Sequence, residues 1–158
     1  MTDLDVRIVR LEPMRVASAL GFGESPEELA RAKLLAWYKA SGLALDGKPH
    51  RFFGFNNPNP SAGSPKYGYE VWVTVDEGVQ PEGEITLKDF AGGLYAVTRC
   101  EVKGDPGEII PATWQRLVRW HENSRYGMGR HQWLEEHIGP QEGPSGEFVL
   151  DLYLPVKE

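Results

Sequence analysis

An α+β protein built from two similar β-α-β-β units is what this sequence predicts, on three observations. Runs rich in β-branched and aromatic residues, above all 67–75 (YGYEVWVTV) and 148–156 (FVLDLYLPV), have the character of strands. Two stretches of helical periodicity lie among them. The order strand, helix, strand, strand occurs twice, parted by a polar linker at 76–83.

The elements follow in order. Val6 and Ile8, then Val16, Ala17 and Leu20, form an opening strand that pauses at Glu12-Pro13. Ser25-Pro26-Glu27-Glu28 starts a helix, because serine can cap, proline suits the first helical position and Glu28 completes a capping box. Leu29, Ala32, Ala36 and Ala40 recur at helical spacing, with Leu35 and Trp37 widening the stripe, and Gly42 is placed for a left-handed C-terminal cap. A short strand at 51–55 precedes a proline-rich loop at 56–66 and the strand at 67–75.

The second half repeats the plan. Ile85 and Leu87, a Gly92-Gly93 break and 94–102 (LYAVTRCEV) give its strands, and Asp105 or a neighbour caps its helix. Ile110, Trp114, Leu117, Val118 and His121 line one helix face, and Pro111 places the regular part after itself, since an interior proline removes a backbone hydrogen bond. A strand at 132–138 (QWLEEHI), a loop at 139–146 and a last strand closed by Pro155 finish the chain. Paired about a pseudo-twofold axis, the halves would form an antiparallel sheet with both helices on one side and a groove between them.

Length and composition bound the rest. The 158 residues fit one domain, 1–158, with pseudo-repeats at about 1–75 and 84–158, and a 41% hydrophobic, 25% charged chain has the usual globular mix. No apolar run has spanning length and residues 1–10 lack a signal-peptide core, so a cytoplasmic location without membrane attachment is expected. One cysteine cannot make an internal disulfide, and no Cys/His cluster has zinc spacing, so neither metal nor cofactor is expected. A net charge of −6 argues against direct nucleic-acid binding, and Arg116, Arg119, Arg125 and Arg130 are assigned to a solvated helix face.

Several motifs bear on function. Gly93-Leu94-Tyr95-Ala96-Val97 resembles a "G-x-Y-A-V" strand, Leu117 to Trp120 an "L-x-x-W" helix pattern, Trp133 to His137 an "E-x-Y" strand and Leu152 to Val156 a closing "I-Y-I-P-V". Together with Tyr69-Glu70 they resemble, in order and over nearly the whole chain, the GyrI-like family, which also supplies effector-binding modules to AraC-type and MerR-type regulators. The resemblance implies a duplicated fold of the SHS2 type and the uptake of bulky, often cationic or aromatic compounds between the halves, against aromatic side chains and a central glutamate. By position that glutamate is Glu135, with His137 where the motif has tyrosine. The stretch before the first strand is too short for a DNA-binding unit, so a stand-alone small-molecule binder is expected, with its protein partner, if any, unspecified.

Alternation places Trp133, Glu135 and His137 on one strand face and Leu134, Glu136 and Ile138 on the other. The aliphatic set is expected under the helices and the first set in the groove; the plain alternative is a solvent-facing strand. Tyr69, Tyr95 and Tyr153 are pocket candidates because a buried phenol needs a partner. Phe53 is assigned to core or rim, Trp114 first to packing, and Glu70, which shares a face with Trp72, to a second groove acid or a solvated position. A carboxylate among rings would select cations through charge and cation–π contact. The same residues carry a second reading, in which Glu135 with Tyr153 hydrolyses strained electrophiles such as epoxides or cyclopropanes. A protein-interaction module, such as a gyrase inhibitor, is the third.

Overall fold

The computed structural model describes residues 4–57, 66–138 and 148–158. It contains nine strands, two α-helices and a short 3-10 turn at Leu43–Leu45 among these residues, the strands and α-helices in the order β1 Val6–Leu11, β2 Met14–Gly23, α1 Pro26–Ala40, β3 Phe52–Asn56, β4 Tyr67–Thr74, β5 Thr86–Phe90, β6 Gly93–Val102, α2 Pro106–Glu122, β7 Gly127–Met128, β8 Leu134–Ile138 and β9 Phe148–Lys157. The fold is α+β. The predicted loops at 56–66 and 139–146 fall largely or wholly outside the described residues.

Chain contacts divide the protein into two compact units. The first is Pro13–Ala91, and the second joins the segment ending at Glu12 to Gly92–Glu158. Pro13 therefore does more than bend one strand. It parts two strands that belong to different units, β1 pairing with β6 and β2 with β4 and β5.

In the first unit the antiparallel strands lie in the order β3-β4-β2-β5. Helix α1 covers one face through Ala30, Leu34 and Trp37, which pack on Ala17, Ala19, Tyr69, Val71 and Val73. The buried positions of α1 are thus Pro26, Ala30, Leu34 and Trp37, one step round from the expected stripe of Leu29, Ala32, Ala36 and Ala40. Burial scales with apolar area, so the large Leu34 and Trp37 set the phase that small alanines cannot. Ser25 makes no side-chain capping bond, while Gly42 does take the left-handed conformation (φ 82°).

In the second unit the order is β8-β9-β6-β1, with β7 also against β9. Helix α2 starts at Pro106, where the Asp105 side chain accepts from Gly107 N at 3.0 Å, and it runs through Pro111 instead of beginning after it. Pro111 costs the helix only its own bond to the Gly107 carbonyl, one turn in from the start. Leu117, Ile110, Trp114 and Trp120 of α2 pack on Ala96, Cys100, Leu150, Leu152 and Leu154. Strand β9 continues past Pro155 to Lys157. The proline sits between the end of pairing to β8, at Tyr153, and the start of pairing to β7, at Val156.

Candidate functional site

Register fixes which side chains share a sheet face, because directly opposed residues point the same way. In the first unit, Tyr69, Val71 and Val73 point toward α1, so Glu70 and Trp72 point to the face without a helix. Ser18 opposes Trp72, Phe53 opposes Trp72 and Phe55 opposes Glu70, which brings all of them to that face. Across β5, Lys88 opposes Val16 and Phe90 opposes Met14 on the same side.

There Glu70 is buried, 2% exposed, and accepts four hydrogen bonds. Ser18 Oγ donates to Oε2 at 2.7 Å, Trp72 Nε1 at 2.6 Å and Lys88 Nζ at 2.6 Å, while Asn57 Nδ2 donates to Oε1 at 2.9 Å. Burial alone would raise the pKa of this carboxyl; the bonds from Lys88, Ser18, Trp72 and Asn57 outweigh it and leave the group below the usual glutamate range. The Trp72 ring in turn meets Phe55 edge-on at 5.0 Å and Phe90 at 5.3 Å between centroids. An ionised acid walled by rings is the result.

In the second unit, Leu150, Leu152 and Leu154 face α2, so Asp151 and Tyr153 face away from it. Strand β8 joins β9 with Leu134 opposite Tyr153, Glu135 opposite Leu152 and Glu136 opposite Asp151. The expected assignment of β8 faces is therefore reversed. Glu135 lies on the α2 side, where Trp114 Nε1 donates to its Oε2 at 3.0 Å and the Trp114 and Trp133 rings stand 5.4 Å apart. His137, on the same side, stacks on Phe148 at 5.9 Å. Trp114, Trp133 and Glu135 do come together as a group, but beneath the helix and with Trp133 39% exposed.

The acid on the helix-free face is Glu136, 7% exposed, which accepts from Tyr153 Oη at 2.6 Å. The Tyr95 ring meets Tyr153 edge-on at 5.4 Å and His131 at 4.7 Å, and the Tyr95 hydroxyl donates to the Gln132 carbonyl. Burial, aided by Tyr153, raises the pKa of the Tyr95 phenol and keeps it a donor. Asp151, on this face too, is held by Arg99 Nε at 2.8 Å and Arg7 Nη2 at 3.0 Å.

The remaining expected residues fall as follows. Tyr69 points into the α1 core instead of toward the helix-free face, because it alternates with Glu70. Phe53 lies on the helix-free face, fully buried, with the Arg51 guanidinium 5.0 Å over its ring. His121, on the helix face read from the sequence, has its Nε2 buried without a hydrogen-bond partner among the described residues. A cavity of about 530 Å³, lined by Leu4, Asp5, Arg7, Thr98, Arg99 and Arg116, includes none of the expected residues. Sequence reasoning missed Glu136, Lys88, Ser18, Asn57 and Phe90. The signal for Glu136 was its pairing opposite Asp151, which only the register supplies. Among the described residues no group of three or more His, Cys, Asp or Glu could hold a metal ion, and no helix is long and apolar enough to cross a membrane.

Two helices on antiparallel sheets are the fold of an effector-binding domain of the GyrI-like class. Residues 7–156 match the family described as Cass2, integron-associated effector binding protein, and the chain belongs to it. Among solved structures the fold resembles the EcmrR C-terminal domain (TM-score 0.71, 14% identity, covering 98% of each chain). It also resembles a hydrolase from Listeria innocua (TM-score 0.68, 14% identity, 99% of this chain and 94% of that one). A third is SAV2435 bound to tetraphenylphosphonium (TM-score 0.57, 13% identity, 98% of this chain and 94% of that one). No curated protein sequence matches the chain. As a member of an effector-binding family, the protein is a small-molecule binder.

Proposed function

We propose that the protein takes up bulky hydrophobic compounds that carry positive charge or flat aromatic rings, and that the helix-free sheet faces, not the α2 side of β8, receive them. The supporting observation is the burial of Glu136 beside Tyr153 and Tyr95. Placing a carboxylate out of water is costly, and such acids concentrate where a binding task requires them. In the second unit Glu136 supplies the charge and Tyr153 and Tyr95 supply ring surface; the first unit, taken by itself, has Glu70 with Trp72, Phe55 and Phe90. Cation–π contacts of about 0.5–2 kcal/mol each reward a cation against rings without demanding one shape. Glu135 is then a positioning residue that ties β8 to α2 through Trp114. Such a binder fits a cytoplasmic setting and needs no cofactor.

Titration calorimetry with tetraphenylphosphonium tests this. The native protein is expected to bind it, Glu136→Gln to bind at least about tenfold more weakly, and Glu135→Gln to stay within about threefold of native. Loss of binding in Glu135→Gln with none in Glu136→Gln would return the site to the α2 side.

The 2.6 Å bond from Tyr153 to Glu136 also favours a second reading, hydrolysis of a strained electrophile. For this the Tyr153 hydroxyl turns from Glu136 to the ring oxygen as the C–O bond opens, the freed carboxylate takes a proton from the attacking water, and the carboxyl then returns that proton to the alkoxide. Epoxide consumed to a water adduct by the native protein and not by Glu136→Gln, seen by mass spectrometry, would establish it.

A further inference from the structure

Four donors converge on Glu70, and three of them are neutral and fixed. Ser18, Trp72 and Asn57 come from the β2 and β4 strands or the turn after β3. The fourth is a charge on a long stem. Lys88 rises from β5, the strand that pairs with β2 alone among the described elements of its unit. Its side chain is 43% exposed while the acid it meets is 3% exposed. The buried member of this pair is thus the anion, in a setting of Trp72, Phe55 and Phe90, and the cation arrives from the solvent side.

We infer that Glu70 and its fixed donors form a cation-binding subsite for primary alkylammonium groups, and that Lys88 occupies it as a tethered ligand. This rests on the reading above in one respect, that positive charge is what the helix-free faces receive. The chemistry fits the class. An ammonium offers three donors and a compact charge, and Oε2 of Glu70 already accepts such a group at 2.6 Å. Removing only the lysine leaves Ser18 and Trp72 donating to the same oxygen and Asn57 to the other, so the carboxylate stays oriented toward the vacated position. Holding a half-exposed lysine there costs side-chain entropy and gains a screened charge pair, so a free ligand can compete with it. Asp151 of the second unit is also paired to its edge strand, by Arg7 of β1, but a second arginine, Arg99, grips it as well and leaves no comparable vacancy on loss of one partner.

Lys88→Ala removes the stem and head that n-propylammonium reproduces. Titrated calorimetrically, Lys88→Ala is expected to bind one n-propylammonium at least about tenfold more tightly than the native protein, and Lys88→Ala/Glu70→Gln to lose that gain. Equal affinity in native and Lys88→Ala, or a gain that survives in the double variant, overturns the inference. Should Lys88→Ala not fold, Lys88→Val, a strand former whose side chain ends at Cγ, is titrated with ethylammonium, which supplies the two carbons and the ammonium then missing, with the same outcomes decisive. The native protein's uptake of tetraphenylphosphonium is scored separately. Its failure would strike the proposed function, whereas failure of the small ammonium alone would strike only the tethered-ligand inference.

Discussion

At the level of single residues, the most informative group is the carboxyl of Glu70. Its pKa in the folded protein lies below the ordinary glutamate value of 4.5, so it binds protons more weakly there than in the unfolded chain. Stability from this group is therefore complete above that ordinary value and is withdrawn as pH falls through the lower folded value. Hydrogen bonds to a charged group contribute about 1.5–3 kcal/mol, and the share from half-exposed Lys88 is reduced by solvent screening. Glu70→Gln is expected to lower stability near neutral pH by about 1.5–3 kcal/mol and to flatten the acid limb of the stability curve. Urea unfolding of both proteins from neutral pH downward checks it. Parallel acid limbs would mean that Glu70 does not titrate as its partners require.

Within elements, the sequence disclosed kinds and order well and faces poorly, for a physical reason that β8 makes plain. QWLEEHI has an acid and an apolar residue in each alternating set, and the structure buries something on both sides: Leu134 and Glu136 on one, the Trp114 contact of Glu135 on the other. Alternation then carries no polarity, and only pairing with β9 decides. Helix α1 slipped similarly, because Leu34 and Leu35 are adjacent and either could lead the stripe. Strand β4 was clearer: Glu70 and Trp72 shared a face as read, and only the assignment of Tyr69 to a pocket failed. A glycine in β3 shows how closely that core is filled. A Cβ on Gly54 would stand 2.6 Å from Cε2 and 2.7 Å from Cζ of Tyr69. Overpacking of this kind costs about 1–3 kcal/mol. Gly54→Ala is expected to lose stability in that range, and Gly54→Ala/Tyr69→Leu, which clears the ring, to recover part of it; thermal melts of the two variants against native decide.

Across the whole molecule, the duplication visible in the sequence is real in strand order and subtler in connectivity. The orders β3-β4-β2-β5 and β8-β9-β6-β1 correspond strand for strand, so β5 in one unit has the place of β1 in the other. Each of these edge strands pairs with a partner other than the strand that follows it in the chain: β1 precedes β2 but pairs with β6, and β5 precedes β6 but pairs with β2. Local periodicity cannot show such an exchange, since it is a matter of long-range pairing. The consequence is that each unit sets an edge-strand cation against a buried acid, Lys88 on Glu70 and Arg7 on Asp151, within a chain of net charge −6. That net charge attracts any cation from a distance, and the attraction is screened as the Debye length shrinks from about 10 Å at 0.1 M salt to about 3 Å at 1 M. Contact with a buried carboxylate and with rings is screened far less. Affinity for tetraphenylphosphonium is therefore expected to fall by no more than about threefold between those salt concentrations, measured by calorimetry at each. A fall of a hundredfold would place the ligand on the acidic exterior and away from Glu136.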